Sequence, residues 1–581
     1  MKTKERNKMK RSLFHIGAIA VVLIAFSVSQ SCTKLDEELY SSVTPSNFFK
    51  TEAEFISALG AAYTQFGGFA AGDPQSLHVM TTDQLTAPTR GQDWDDGGNW
   101  RRLHLHSWTK EDGVMSGGWN FGFNGVNTAN RLIYQFQSLV ASGQVQQDVA
   151  DAYIAELQTV RGFFYWQLID MYGNVPLVTD FAKAEATPKT ETRKAVYDFI
   201  VADLEAAVAK LPKAVDGTTY GRMNYYAGKT LLAKLYLNAE IYTSTPQTPG
   251  TPQWDKAIAA CDEVINSGKY SLESNFFANF NVNNSGSKEF IFAIPYDKVF
   301  YTGFNLVMQT LSYLNQQTYN LAAQPWNGFC SLEEFYNSYS DADLRKGEVG
   351  TLTAPAVKRG TFLAGYQYSS AGKILEDDGF EAPNLTRTPA PLLGDPDGKK
   401  FNFGSFGSGQ PQINELGPQA LRQAGVRVGK WEFEMGGLSD MSNDYAVFRY
   451  ADVLLMKAEA TWRKDNKNAT NAAALALVNQ IRTRAGVPDI TTLDGKLSFD
   501  LAGADVAGAE LFNEIGRELA FEKSRRQELI RWGVYTDVSK WALPAYNPGD
   551  AIVSGAHTVL FPVHKDKLAA NPNLVQNPGY N

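Results

Sequence analysis

The sequence predicts a mainly α-helical body of paired helices, interrupted by one large, irregular, mostly non-helical insert. Three observations carry this. Helical periodicity runs through 119–172 and 192–267, fades from about 270 to 440, and returns from 450 to 532. Successive helices joined by short breaks follow the pattern of tetratricopeptide-like hairpins, although no strict repeat of about 34 residues survives. An irregular helical bundle fits the same pattern.

The chain opens with a segment set apart from the fold. Lys2, Lys4, Arg6, Lys8, Lys10 and Arg11 form a basic start, and Leu13 to Val28 an apolar stretch short for a membrane span. Ser29-Gln30-Ser31 then precede Cys32. We read 1–31 as a lipoprotein leader, Cys32 as the lipidated first residue of the mature chain, and 32–47 as a polar tether. An ordinary signal peptide with an incidental cysteine is the alternative. One acyl chain gives marginal binding at ~0.8 kcal/mol per buried CH₂, so stable anchoring in a lipid bilayer implies more than one.

A helical region is expected over 48–270. Ser46 or Asn47 can cap a helix starting near Phe48, with Phe55, Leu59, Ala62 and Phe66 at helical spacing. Residues 68–118 lack sustained periodicity and are rich in Gly, Asp, Trp and His, which predicts an ordered surface loop. Helices follow over 119–140, 148–172, 192–211, 224–242 and 254–267. Ala227-Gly228 and Ala233 sit where helices could approach closely. The insert spans 271–440, where Gly, Pro, Asn and aromatic residues dominate and Phe290 to Ile294 reads as a strand. The C-terminal region, 441–581, carries helices over 450–462 and 471–485, the latter stopped by Gly486 and Pro488. A last long helix is expected from Ala509 to Trp532, and the tail is rich in Pro and Asn.

Composition narrows the function. The formal net charge is -8, and losing the leader removes six bases and one acid, leaving the body near -13. No basic patch stands out, so no nucleic-acid partner is expected. Cys261 and Cys330 are too few for a disulfide framework and read as two buried thiols. Aromatic residues make up 12% of the chain, more than a core needs, and surplus rings often mark binding surfaces.

Family-like motifs run along the chain. They are Arg161-Gly162-Phe163-Phe164-Tyr165 with Tyr172-Gly173-Asn174-Val175-Pro176-Leu177, Phe448-Arg449-Tyr450-Ala451-Asp452-Val453-Leu454-Leu455-Met456-Lys457-Ala458-Glu459-Ala460, Val478-Asn479-Gln480-Ile481-Arg482-Thr483-Arg484-Ala485-Gly486, Glu518-Leu519-Ala520-Phe521-Glu522, and the terminus Asn571-Pro572 to Pro578-Gly579-Tyr580. In these the chain resembles the SusD/RagB family of surface nutrient-binding lipoproteins. The resemblance implies a SusD-like fold of tetratricopeptide-like helix pairs with an irregular insert carrying the ligand surface. It also implies an outer-membrane location and a SusC-like TonB-dependent outer-membrane transporter as partner. The motif residues themselves read as scaffold: Glu510, Glu514, Glu518 and Glu522 recur at i+4 and suit structural ion pairs.

Catalysis finds little support. A glycosidase needs two carboxylates about 5–9.5 Å apart, and 62 acidic residues make sequence pairs uninformative. Nucleophile-elbow, phosphate-loop and metalloprotease motifs are absent. His104-Leu105-His106 lacks an apparent third metal ligand, so neither metal nor cofactor is expected. Glycan capture asks for flat rings against the sugar's C–H face and polar groups at its rim. Asp83, Arg90, Trp94, Trp100 and Trp108 offer that mixture in the loop. Phe300, Tyr301, Trp326 and Asn327 offer it in the insert. By resemblance, starch-binding relatives draw contacts from these two regions. The expected function is surface binding of an oligo- or polysaccharide and its delivery to the transporter, without catalysis. Capture of peptides by the same architecture is the alternative, and a secreted glycoside hydrolase a third.

Overall fold

The computed structural model describes residues 52–580, apart from 91–92, 246, 377–399, 405–415, 418–419, 421, 501–502, 538–549, 551–552 and 554. Phe55–Asn581 form one compact unit; Met1–Glu54 form another, of which 52–54 alone are described. The leader, Cys32, the tether and the helix start near Phe48 therefore lie outside the described residues.

The fold is mainly α, with tetratricopeptide-like helix pairs. Helix α1 is Glu52–Tyr63, α2 Asp73–Val79 and α3 Asn99–His104. The frame is built from α4 (Gly113–Ala141), α5 (Gln147–Met171), α6 (Arg193–Val208), α7 (Tyr225–Leu237) and α8 (Trp254–Ile265). It continues with α9 (Tyr450–Lys464), α10 (Ala472–Arg484) and α11 (Ala509–Glu518). Each of these helices packs on the next, from α4 to α10, and α11 packs on both α9 and α10. Side chains cap several starts: Thr192, Asn224 and Asn471 each accept a backbone N–H of the first turn.

Small residues let these helices approach. A Cβ on Gly122 would lie 2.4 Å from Leu168 Cγ, and one on Gly125 2.2 Å from the Phe164 ring, so α4 and α5 cross through glycines. Gly228 meets Val208 Cγ2 at 2.6 Å in the same sense, between α7 and α6.

The ladder of helices continues across the insert. Although 184 residues separate their facing ends in sequence, α8 packs directly on α9. Strand β2 (Phe290–Ile294) pairs antiparallel with β6 (Tyr445–Arg449), which ties the insert's two ends together. Within it, β4 (Phe362–Tyr366) pairs antiparallel with β5 (Arg427–Val428), while β3 (Cys330–Ser331) pairs antiparallel with β1 (Leu85–Thr86) of the N-terminal region.

Two expectations change. Residues 68–118 are not a surface loop throughout: 74–90 are buried and α2 and α3 lie within the stretch, while 93 and 95–97 are exposed. The last long helix is two: α11 stops at Glu518 and α12 covers Arg525–Arg531, with Phe521 and Lys523 at positive φ between them. The carbonyls freed by the break find cationic donors. Lys430 Nζ donates to Glu518 O at 3.1 Å and Ala520 O at 2.9 Å, and Arg449 Nη2 to Glu518 O at 2.7 Å.

The family-like carboxylates lock this junction. Buried Glu518 pairs with Arg484, Arg449 and Arg345 at 2.5, 2.6 and 3.0 Å. Burial alone would raise its pKa, but these guanidinium groups hold it well below the usual carboxylate range. Glu514 is likewise lowered to about 2, burial being outweighed by Arg345, Arg517 and Arg482. Cys261 and Cys330 are buried free thiols.

Candidate functional site

The pairing of β1 with β3 decides which loops meet. Thr86 lies opposite Cys330, so the chain leaving β1 and the chain entering β3 share one end of that ladder. The first carries Trp94 and the second Trp326. Ser331 N also donates to Val426 O at 2.9 Å, bringing 422–427 to the same place.

Trp94 Nε1 donates to Trp326 O at 2.7 Å. Its ring lies 5.7 Å from that of Trp100, and both stand edge-on to buried Phe329 at 5.4 Å. Trp100 Nε1 donates to Asp96 Oδ2 at 2.5 Å. Trp94 and Trp100 are half-buried; Trp326 is 42% exposed. The close seat depends on Gly328, whose Cβ would stand 2.2 Å from Trp94 Cζ2.

Polar groups close a circuit around the indoles. Asn327 Nδ2 donates to Arg422 O at 3.3 Å, and the Arg422 guanidinium sits 5.8 Å from the Tyr313 ring centroid. The Tyr313 hydroxyl donates to Asp93, the residue before Trp94. Burial and the Asp93 carboxylate hold that hydroxyl above the ordinary tyrosine range, so it stays a donor.

Four predicted contact residues are buried and engaged by protein partners instead, and we correct those expectations. Asp83, 2% exposed, accepts from Arg525 Nε and Nη2 at 2.8 and 2.7 Å. Arg90, 3% exposed, donates to Asn327 O, Gly328 O and Ala424 O at 2.5, 3.0 and 3.0 Å. Trp108 is buried and donates to the Tyr580 hydroxyl at 2.8 Å. Asn327 is buried, and its Oδ1 accepts from Arg427 Nη2 at 2.9 Å. Each has exchanged solvent for protein partners, so none can reach a ligand without breaking them.

Tyr301 is partly buried, stacked on Tyr296 at 5.5 Å with its hydroxyl donating to Tyr63 O at 2.7 Å. Its neighbour Phe300 is 91% exposed. Asp297 Oδ1 accepts the N–H groups of Val299 and Phe300, both at 2.8 Å, which fixes the turn that displays the ring. The structure does not gather His104 and His106 as metal ligands: both are buried, and His106 Nε2 lies 3.1 Å from Thr81 O. Among the described residues no cluster of His, Cys, Asp or Glu could hold a metal ion, and no helix is long and apolar enough to cross a membrane.

Sequence reading missed Asp93, Tyr313 and Arg422. Their types suit a sugar rim, but only the fold joins positions so far apart; Asp93 alone, beside Trp94, was within reach.

Two family descriptions match this chain in order along it. "Starch-binding associating with outer membrane" matches residues 35–237 and "SusD family" matches 424–580. The chain belongs to the SusD/RagB family. It is 24% identical to the starch-binding protein SusD of Bacteroides thetaiotaomicron over 441 residues, 73% of this chain and 72% of that one. Its fold is that of SusD-like structures. A laminarin binding SusD-like protein superposes with a TM-score of 0.63 at 20% identity, covering 92% of this chain and 100% of the other. Surface glycan-binding protein A of Bacteroides thetaiotaomicron, solved in complex with laminarihexaose, superposes with a TM-score of 0.62 at 18% identity, covering 90% and 99%. The Trp94 side of the site lies within the first matched stretch, and its Trp326, Tyr313 and Arg422 side lies in the insert between the two.

Proposed function

We propose that this SusD/RagB chain binds an oligo- or polysaccharide at the cell surface and delivers it to a TonB-dependent outer-membrane transporter. A lipid anchor at Cys32 would hold it to the outer membrane. The observation that carries the reading is the pair Trp94 and Trp326, joined at 2.7 Å with the Trp326 ring reaching solvent. A pyranose offers an apolar C–H face to such an indole, and the ring loses little rotamer entropy on contact. Trp326 supplies that face. Tyr313, Asp93 and Arg422 stand where hydroxyls at the sugar's edge would find acceptors and donors. Phe300, on its rigid turn, adds a further ring for a longer chain.

Binding without cleavage also fits the carboxylates. Asp93 and Asp96 each already accept a hydrogen bond, from the Tyr313 hydroxyl and Trp100 Nε1. A glycosidase pair must keep both carboxyl groups free, one for the glycosidic oxygen and the other for water or the sugar. Starch and laminarin relatives support a glucan as the first ligand to try.

Titration calorimetry of the body lacking residues 1–32 against starch- and laminarin-derived oligosaccharides, other glycans and peptides tests the reading. Saturable binding of an uncleaved glycan is the expected result. Binding of peptides alone would replace the glycan, and release of shorter sugars would overturn the non-enzymatic role. Co-purification of the full chain with a membrane barrel tests the transporter.

A further inference from the structure

Behind the two indoles sit two non-glycine residues in the left-handed region: Arg90 at φ 39° and Asn327 at φ 57°. Such backbone is uncommon outside glycine, and it persists only where surrounding contacts over-determine it. Here the two residues determine each other. The Arg90 guanidinium grips the carbonyls of Asn327 and Gly328 and, from the next segment, that of Ala424. Asn327 answers with its side chain, donating to Arg422 O and accepting from Arg427. Its own N–H donates to Leu311 O at 2.8 Å. Trp326 precedes this turn, and Trp94 closes the other loop through its N–H to Thr89 O at 3.3 Å.

We propose that Arg90 and Asn327 are positioning residues, a lock that fixes the Trp94 and Trp326 rings in their mutual geometry before any ligand arrives. Resting on the reading of those rings as the platform, the lock explains why a charged side chain is buried against the carbonyls that follow Trp326. Lysine keeps the charge at position 90 but presents a single ammonium in place of a planar fork, so it cannot hold three carbonyls in the same arrangement. A rigid platform binds more tightly than one that must order its rings on contact.

The test is fluorine NMR on the full chain labelled with 5-fluorotryptophan, with the Trp94 and Trp326 signals assigned through Trp94→Phe and Trp326→Phe. In Arg90→Lys those two signals shift and broaden, while the core signals of Trp119 and Trp462 stay in place. Affinity for a starch- or laminarin-derived hexasaccharide that the parent binds falls by about tenfold. A merely structural role would disturb the core signals equally, and that result overturns the lock. So does an unchanged Trp94 and Trp326 pair. If Arg90→Lys does not fold, Asn327→Asp, which tolerates positive φ but faces Arg422 O with an acceptor, must move the same two signals. Loss of hexasaccharide binding in Trp326→Phe with no change in Arg90→Lys would leave the platform standing and refute the lock alone. A parent chain that binds no glycan would refute the platform, while the two signals still decide the lock.

Discussion

Asp83 and Arg525, 442 positions apart in sequence, meet in a doubly hydrogen-bonded ion pair at 2.8 and 2.7 Å inside the frame. The pair ties the stretch before β1 to the start of α12. Removing one partner of a buried pair leaves an uncompensated charge and typically costs ~3–5 kcal/mol. Asp83→Ala should therefore lower the unfolding free energy by roughly that amount in denaturant titrations, while the fraction still folded binds ligand as before. Selective loss of binding at unchanged stability would return Asp83 to the ligand site.

Trp326→Ala should behave in the opposite way. Its ring is 42% exposed, so truncation should change stability by no more than about 1 kcal/mol. Loss of a central aromatic contact typically costs ~2 kcal/mol of binding or more, which calorimetry would read as at least about thirtyfold weaker affinity.

Gly328→Ala tests the seat of Trp94 without touching a ligand contact. The added methyl would fall 2.2 Å from Trp94 Cζ2, so the indole must leave its place. We expect weaker glycan binding and altered indole fluorescence. Unchanged affinity would show that the Trp94 ring is dispensable.

Acid should destabilise the frame through its buried histidines. Burial lowers His78 to about 4 and His106 to about 3, with the charges and hydrogen bonds around them as smaller influences. Both bind protons more weakly folded than unfolded. Their contribution is fully present above pH 6.5 and is lost as pH falls toward 4 and then 3, at ~1.4 kcal/mol per pH unit for each uncompensated proton. Asp73 and Asp444, both pushed up to about 6 by burial, work in the opposite sense and offset the two histidines between pH 6 and 4, so the net loss falls below about pH 4. Denaturant titrations at stepped pH should show the decline, and His106→Phe should flatten it. A slope unchanged in that variant would assign the acid sensitivity elsewhere.

Much of the frame was legible in the sequence because helix burial leaves a periodic trace. Asn224 and Asn471 mark their helices' starts, and Gly486, at φ 73°, marks the end of α10. The break between α11 and α12 left no such mark. Phe521 and Lys523 hold positive φ without glycine or proline to announce it, and the donors that make it tolerable come from Lys430 and Arg449. At the site, Asp93 and Asp95 flank Trp94, and Asn327 and Gly328 follow Trp326, a polar setting that suits a ring at the surface. Asp83 and Arg90 have residue types that suit a sugar equally well, and only their distant partners reveal a scaffold role.

Glycan capture at this site requires a sugar ring on the Trp326 indole. A crystal structure of the body grown with the glycan that calorimetry selects tests it most directly. The expected result is a pyranose face within ~4 Å of that ring, its hydroxyls reaching Tyr313, Asp93 or Arg422. Ligand bound elsewhere on the chain, with Trp326 left bare, would contradict it.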